Sequence, residues 1–170
     1  MYIKKIVIAF FLILCSFSLN AEDIKTNNQN TELNVYTGMF DFSDDGKKST
    51  ILGFQHQNEN LNRNTFLGNL SPITGALITA DNAAYIYTGV QAQYKIGALN
   101  FTPSFTPGLY HEGDGKDLGH IIEFKSELQF SVDLSNNSLI GFSYNHISNA
   151  SLGDKNPGAN SYMFNFFKNF

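Results

Sequence analysis

The 170-residue sequence holds 11 basic and 15 acidic residues, and its net charge of −4 makes nucleic acid an unlikely partner, because phosphate binding requires an excess of basic side chains. Its single cysteine excludes an intramolecular disulfide bond. No cofactor is expected, and no metal site either, since His56, His111 and His120 are scattered over loops and strand ends.

The first 21 residues are expected to form a cleaved secretory signal peptide. Lys4 and Lys5 provide a basic start, and residues 6–14 form an apolar stretch that is too short to span a bilayer as a helix. Cleavage after Ala21 would also remove the only cysteine. The remaining chain carries nine basic and 15 acidic side chains, a net charge of −6, and is long enough for one domain.

Strand patterns and turn residues alternate along the rest of the chain, without a helical period. Residues 22–31 are rich in Asn and Thr and are expected to form a flexible N-terminal segment, which leaves 32–170 as the folded domain. Clusters of Gly, Asn, Asp and Ser separate the predicted strands. Eight strands are predicted, at residues 32–43, 48–57, 63–74, 83–96, 99–111, 119–134, 138–150 and 160–170.

The last predicted strand indicates the environment of the fold. Its aromatic face consists of Tyr162, Phe164, Phe166 and Phe170, interrupted by Lys168. Strands of about ten residues with alternating apolar and polar positions match the thickness of a bilayer. We therefore expect an all-β fold, an eight-stranded antiparallel transmembrane barrel in a Gram-negative-type outer membrane, with its terminal strand recognised by the barrel-assembly machinery. A soluble periplasmic barrel or sandwich is the alternative.

This topology predicts which ends of the strands face outward. If the chain starts and ends in the periplasm, the loops after strands 1, 3, 5 and 7 face outward, and the turns after strands 2, 4 and 6 are short and periplasmic. The lumen of an eight-stranded barrel is filled by its own side chains, so a diffusion channel is not expected. Inward polar residues predicted to form this filling are Gln91, Gln93, Lys95 and Glu127.

A histidine and a serine lie two residues apart near the outer end of the seventh strand. Residues i and i+2 of a strand share one face, so the His146 imidazole and the Ser148 hydroxyl project side by side. They continue the apolar face that contacts lipid, where lipid acyl esters are accessible. The pair is a candidate general base and nucleophile, although such a spacing also arises by chance.

Several short strings in the chain are shared with a known family. The most specific are His146-Ile147-Ser148-Asn149-Ala150 and Asn156-Pro157-Gly158, ahead of the terminal aromatic strand. Further similar segments are Pro103-Ser104-Phe105, Gly108-Leu109-Tyr110, Gly115 to His120 and Glu123-Phe124. In these strings the chain resembles the lipid A 3-O-deacylase (PagL-type) family. The resemblance implies an eight-stranded outer-membrane barrel that removes the 3-linked acyl chain of lipid A through a His–Ser–Glu site on its lipid-facing wall.

By this resemblance His146 is the general base, Ser148 is the nucleophile, and Asn149 lies near the oxyanion. The family's Glu lies twelve residues after the Ser, where this chain has Asn160. The amide can orient an imidazole, but it cannot stabilise an imidazolium by charge. The chain is thus either a slower esterase or a non-catalytic small barrel that serves adhesion or envelope structure.

Another acid could replace the missing Glu. A two-residue turn at Asn136-Asn137 would set Glu127 opposite His146, but the lipid-facing aliphatic side chains of the same strand favour a register that turns Glu127 into the lumen. Asp117 and Asp154, in outward loops, stay open as alternatives.

Palmitoyl transfer is a third function to consider, but residues 22–31 lack the apolar period of an N-terminal amphipathic helix. The expected partner is lipid A or lipopolysaccharide in the outer membrane. The sequence leaves open whether the protein forms a homodimer and which acyl chain it prefers.

Overall fold

The computed structural model describes residues 31–170, so the predicted signal peptide and the predicted N-terminal segment, apart from Thr31, lie outside the described residues. This part of the chain contains ten strands and one 3₁₀ helix, Glu59–Leu61. The strands are β1 (Thr31–Phe40), β2 (Ser49–Asn58), β3 (Arg63–Thr65), β4 (Gly68–Thr79), β5 (Ala84–Ala92), β6 (Tyr94–Ile96), β7 (Leu99–His111), β8 (Ile122–Ser135), β9 (Ser138–Ser148) and β10 (Ala159–Asn169).

Eight long strands form a closed antiparallel barrel. Each pairs with the next long strand along the chain, and β1 pairs with β10 to close the sheet. The two short strands extend this wall, because β3 pairs with the start of β4 and β6 continues β5 along β7. The predicted eight-stranded barrel is therefore confirmed. No helix among the described residues is long and apolar enough to cross a membrane.

The predicted bounds of the third strand are wrong. The prediction ended that strand at residue 74, whereas β4 continues to Thr79. The sequence suggests a turn at Gly75, but this residue lies within the barrel wall, where its backbone is close to Phe54 and Tyr87. A Cβ at Gly75 would lie 2.5 Å from both the Phe54 carbonyl oxygen and the Tyr87 hydroxyl. Residues 63–65 fold back as β3, so the connection after β2 is longer than the predicted short turn.

The outer surface of the barrel is an apolar belt. Side chains alternate between the lumen and the outside along each strand, as the pleat requires. Every long strand contributes at least one large exposed apolar side chain, among them Val35, Phe54, Ile78, Ile86, Leu109, Phe130, Phe142 and Phe164. Soluble monomers rarely expose a continuous apolar surface of this extent, which favours contact with lipid.

The lumen is filled with polar and aromatic side chains. The Lys125 ammonium lies 3.2 Å from a Glu127 carboxylate oxygen and 4.0 Å from the centre of the Tyr87 ring. Gln91 is buried, whereas Gln93 and Lys95 are exposed and line a polar cavity of about 620 Å³ at the end of the barrel where β1 begins and β10 ends. We call this the turn end and the opposite end the loop end.

Glu127 faces the lumen because the β8–β9 hairpin contains a register shift. The two-residue turn, Asn136-Asn137, would by itself set Glu127 opposite His146. The register shifts by one residue at Asp133–Ser135, and Glu127 pairs with Asn145 instead. The shift allows a tight turn and a lipid-facing apolar row in the same strand, and it separates Glu127 from the imidazole.

Replacing Phe164 by Arg should lower the free energy of unfolding by about 2–4 kcal/mol, because this side chain is exposed to lipid at the middle of β10. Urea unfolding of protein refolded into lipid vesicles, followed by heat-modifiable gel mobility, measures the change. The matched control is Phe66→Arg, since Phe66 is also exposed but lies in the β3–β4 turn at the turn end. There the expected cost is about 0–1 kcal/mol. Equal losses in the two variants would contradict a lipid-spanning orientation.

Candidate active site

The pairing of β9 with β10 brings His146 and Asn160 directly opposite each other at the loop end. Nδ1 of the His146 imidazole lies 2.8 Å from Oδ1 of Asn160. The Tyr144 hydroxyl donates to the same amide oxygen at 2.8 Å. All three side chains lie on the outer face of the barrel. The juxtaposition of residues 146 and 160 that the sequence suggested is thus present.

Ser148 lies on the same outward face as His146, two residues further along the chain, and is partly exposed. Within residues 31–170, no hydrogen bond joins the Ser148 hydroxyl to the imidazole. Such contacts are often long in the absence of substrate and tighten when substrate binds. The two groups are therefore neighbours on one face of the wall without a formed base–nucleophile contact.

The position of Gly158 indicates which edge of the imidazole faces Ser148. It directly precedes Ala159, the pairing partner of Ile147, and so lies at the level of Ser148. A Cβ at Gly158 would come within 2.8 Å of Cε1 and 3.2 Å of Nε2 of His146. Because Nδ1 is bound to the amide on the opposite strand, the Nε2 edge is the one turned toward the level of Ser148.

A strained turn follows Ser148. The Leu152 N–H donates to the Asn149 carbonyl at 3.0 Å, and the two central residues, Ala150 and Ser151, have φ values of 52° and 64°. Positive φ at both central positions is the pattern of a type I′ turn. For residues other than glycine this conformation costs roughly 1–2 kcal/mol per residue. Strain of this kind is often found at functional sites.

The Asn149 side chain does not face the lipid side, and its expected place near an oxyanion stays a prediction. The residue is fully buried. Its side-chain Nδ2 donates to the carbonyl oxygens of Leu118 and Lys155, each at 2.8 Å. Its backbone N–H donates to Asn156 Oδ1 at 3.1 Å. The side chain has the opposite parity to Ser148 and uses both of its N–H bonds to hold two loops together.

The loop after β1 supplies groups that the sequence did not indicate. The buried Asp41 carboxylate accepts a hydrogen bond from the Asn160 backbone N–H at 3.3 Å and pairs with Lys116 Nζ at 2.6 Å. Ser43 Oγ accepts a hydrogen bond from Asn160 Nδ2 at 3.2 Å. These groups lie more than a hundred residues from Asn160 along the chain, and no local motif marks them.

The two acids proposed as substitutes for the missing Glu are not in contact with His146. Asp117 pairs with Lys155 across two loops, and this hydrogen bond, together with one from the Gly119 N–H, holds the pKa of the Asp117 carboxyl below its usual range. Asp154 is exposed. Asn160 is therefore the polar partner of the imidazole in the described residues.

Solved structures with the same fold include a crystal structure described as the outer membrane enzyme PagL, with 15% identity and a TM-score of 0.61, covering 81% of this chain and 98% of that chain. A de novo designed transmembrane β-barrel matches with 11% identity and a TM-score of 0.55, over 86% and 100%. Yersinia pestis Ail in a phospholipid nanodisc matches with 13% identity and a TM-score of 0.51, over 84% and 100%. At these identities the likeness shows the fold alone.

A comparison with curated protein sequences gives no significant match. In contrast, the sequence profile described as lipid A 3-O-deacylase (PagL) matches residues 32–169. This span covers nearly the whole barrel and includes His146, Ser148 and Asn160. The profile match and the shared barrel architecture lead to one assignment: the chain belongs to the lipid A 3-O-deacylase (PagL) family of outer-membrane barrels.

Proposed function

We propose that this protein hydrolyses the 3-linked acyl ester of lipid A in the outer leaflet, with Ser148 as nucleophile and His146 as general base. One observation carries the proposal in addition to family membership. On the outer wall, the imidazole is held through Nδ1 by the Asn160 amide oxygen at 2.8 Å, and its Nε2 edge is turned toward the level of Ser148.

In the first step, the Ser148 oxygen attacks the acyl carbonyl carbon while His146 Nε2 takes the hydroxyl proton. The tetrahedral intermediate carries a negative oxygen. When it collapses, the bond to the sugar oxygen breaks, and the imidazolium returns the proton to that leaving oxygen. The products of this half-reaction are an acyl-serine and the free 3-hydroxyl of the lipid.

In the second step, water attacks the acyl-serine with His146 again as the base. The intermediate collapses to a fatty acid, and the proton returns to the Ser148 oxygen. In both steps the imidazole must present an unprotonated Nε2. Acceptance of the Nδ1–H by Asn160 Oδ1 favours that tautomer.

The oxyanion requires N–H donors that face the reacting carbonyl. Since the Asn149 side chain is committed to the loops, we propose that backbone N–H groups of the strained turn, at Ala150 and Ser151, provide them. This turn directly follows Ser148 in the chain, which keeps its N–H groups close to the proposed nucleophile. The oxyanion would then lie near Asn149, as the family resemblance implies, but would be held by backbone N–H groups.

A non-catalytic barrel is the second candidate, and one observation favours it. The partner of His146 is an amide rather than a carboxylate, so the charge that forms on the imidazole lacks a direct counter-charge. Such a protein would serve adhesion or envelope structure. It would tolerate loss of the Ser148 hydroxyl, whereas an esterase would not.

Lipid A, or lipopolysaccharide, is the proposed partner of the protein in the outer membrane. Recognition by the barrel-assembly machinery through β10 and Phe170 stays a prediction from the sequence. Formation of a homodimer likewise stays open.

Ser148→Ala and His146→Ala should each abolish deacylation and leave the barrel folded, because both side chains lie on the outer face. Mass spectrometry of lipid A from expressing cells measures the loss of one acyl chain, and heat-modifiable mobility reports folding. Ser126→Ala is the matched control, since Ser126 is exposed and pairs with His146 from β8. Unchanged lipid A hydrolysis in Ser148→Ala would refute the esterase and favour the structural barrel.

Asn160→Glu should raise the deacylation rate by about 10- to 10³-fold, because a carboxylate stabilises the imidazolium better than an amide does. Initial rates on detergent-dispersed lipid A measure the change, with Asn160→Ala as the comparison. If neither substitution alters a measurable rate, Asn160 is not the partner of the catalytic imidazole.

Gly158→Ala should slow deacylation by about 10- to 100-fold, since the added methyl group would displace the imidazole edge that faces Ser148. The matched control is Gly97→Ala. Gly97 also has a positive φ, of 64°, but no atom lies within 4 Å of the added Cβ, so only the backbone strain is shared. Equal rates for the two variants would show that Gly158 does not position His146.

A further inference from the structure

We infer that Ser43 and Asp41 are positioning residues that set the amide orientation of Asn160 and, through it, the tautomer of His146. This inference rests on the proposed function, because the tautomer matters for the reaction only if His146 acts as the base. The experiment described below separates the two.

The contacts form a chain from the imidazole to a buried carboxylate. His146 Nδ1 and the Tyr144 hydroxyl both meet Asn160 Oδ1 at 2.8 Å. On the other side of the same amide, Nδ2 donates to Ser43 Oγ at 3.2 Å. The Ser43 hydroxyl in turn donates to Asp41 Oδ1 at 3.4 Å.

The direction of this chain decides the chemistry of the imidazole. An amide has an oxygen that only accepts hydrogen bonds and a nitrogen that only donates them. With Asn160 Oδ1 toward His146, Nδ1 carries the proton and Nε2 is free to accept one. In the flipped amide, Nδ2 would donate to Nδ1, the proton would move to Nε2, and the imidazole could not take a proton from Ser148.

Neither His146 nor Ser43 alone fixes the amide, because an imidazole and a hydroxyl can each donate or accept. Asp41 removes this ambiguity. A carboxylate only accepts, so it draws the single hydroxyl proton of Ser43 toward itself. The Ser43 oxygen is left as an acceptor, and only the N–H side of the Asn160 amide can satisfy it.

The charge of Asp41 is balanced within the protein. Its second carboxylate oxygen pairs with Lys116 Nζ at 2.6 Å, and Lys116 also lies 3.4 Å from Asp44. This pairing compensates the buried Asp41 carboxylate with a positive charge. It also neutralises most of its field at the imidazole, so Asp41 acts through hydrogen-bond direction rather than through charge.

Ser43 is suited to a test because the fold does not depend on its side chain. The residue is exposed. The loop is held against β10 by two of its own backbone N–H groups: that of Phe42 donates to the Asn160 carbonyl at 2.9 Å, and that of Asp41 donates to Ser161 Oγ at 3.4 Å. Truncation of the Ser43 hydroxyl leaves these contacts in place.

The kinetic arm uses the full-length protein and detergent-dispersed lipid A. Ser43→Ala should lower kcat by about tenfold with KM unchanged. The variant loses the hydrogen bond that favours the correct orientation of the Asn160 amide over the flipped one. Ser43→Thr keeps the hydroxyl and should restore kcat to within about twofold, and Ser126→Ala should have no effect. A fall in kcat that Ser43→Thr does not restore, or that Ser126→Ala shares, would overturn the inference.

A double-mutant cycle distinguishes positioning from general support of the loop. In Asn160→Asp both side-chain oxygens accept hydrogen bonds, so a flip of the side chain does not change what it presents to His146. In that background Ser43→Ala should change kcat by less than about twofold, whereas a purely structural effect would be additive and stay near tenfold. An equal loss in both backgrounds would overturn the inference.

Nitrogen-15 NMR of the imidazole provides a readout that does not need turnover. In ¹⁵N-histidine-labelled protein in micelles, with His146→Gln to identify the signal, the wild type should show a protonated Nδ1 and an unprotonated Nε2. Ser43→Ala should shift the signals toward a mixture of tautomers. A protonated Nε2 in the wild type, or no change in Ser43→Ala, would overturn the inference.

If the wild type shows the expected tautomer but no Ser148-dependent deacylation, the proposed function fails while the positioning role stands.

Discussion

The antiparallel pairing of β9 with β10 is the constraint on which the site depends. It sets His146 opposite Asn160, and the same register sets Phe142 opposite Phe164 on the same outer face. The apolar pairs hold the register, because a slip by one residue would turn the whole aromatic row into the polar lumen. The polar site is therefore aligned by the lipid-facing contacts beneath it. The side-chain hydrogen bond between His146 and Asn160 therefore does not have to hold the two strands in register by itself.

Alternation along the strands was the part of the structure that the sequence could predict. It correctly indicated the barrel, the outward parity of His146 and Asn160, and the inward parity of Glu127. It did not indicate that a register shift at Asp133–Ser135 would reconcile a tight turn with that parity. Contacts between distant loops, such as the one between Asp41 and Asn160, leave no periodic signal. The close approach at Gly75 was missed for a related reason, since glycine in a turn and glycine in a crowded wall look alike in a sequence.

At position 160, where the family resemblance implies a carboxylate, this chain has an amide, and the amide can perform only one of the two tasks that a carboxylate would perform. Orientation of the imidazole requires only an acceptor at the correct distance, and Asn160 provides one at 2.8 Å. Stabilisation of the imidazolium requires negative charge, which matters more where lipid lowers the local dielectric constant. The nearest carboxylate behind the amide, Asp41, is already paired with Lys116. The arrangement thus retains the orienting contact and gives up most of the charge, and for the proposed esterase this balance predicts slow turnover.

Asn149 shows how the loops and Ser148 are connected. Two residues with positive φ follow it, and their strain of roughly 1–2 kcal/mol each must be offset elsewhere. Two hydrogen bonds from its buried side chain, to the carbonyl oxygens of Leu118 and Lys155, each contribute about 1 kcal/mol net. The loop from β7 to β8 and the loop from β9 to β10 are therefore fastened at the residue next to Ser148. The position of the Ser148 hydroxyl then depends on both loops together, and a substitution that loosens either loop affects Ser148 through Asn149.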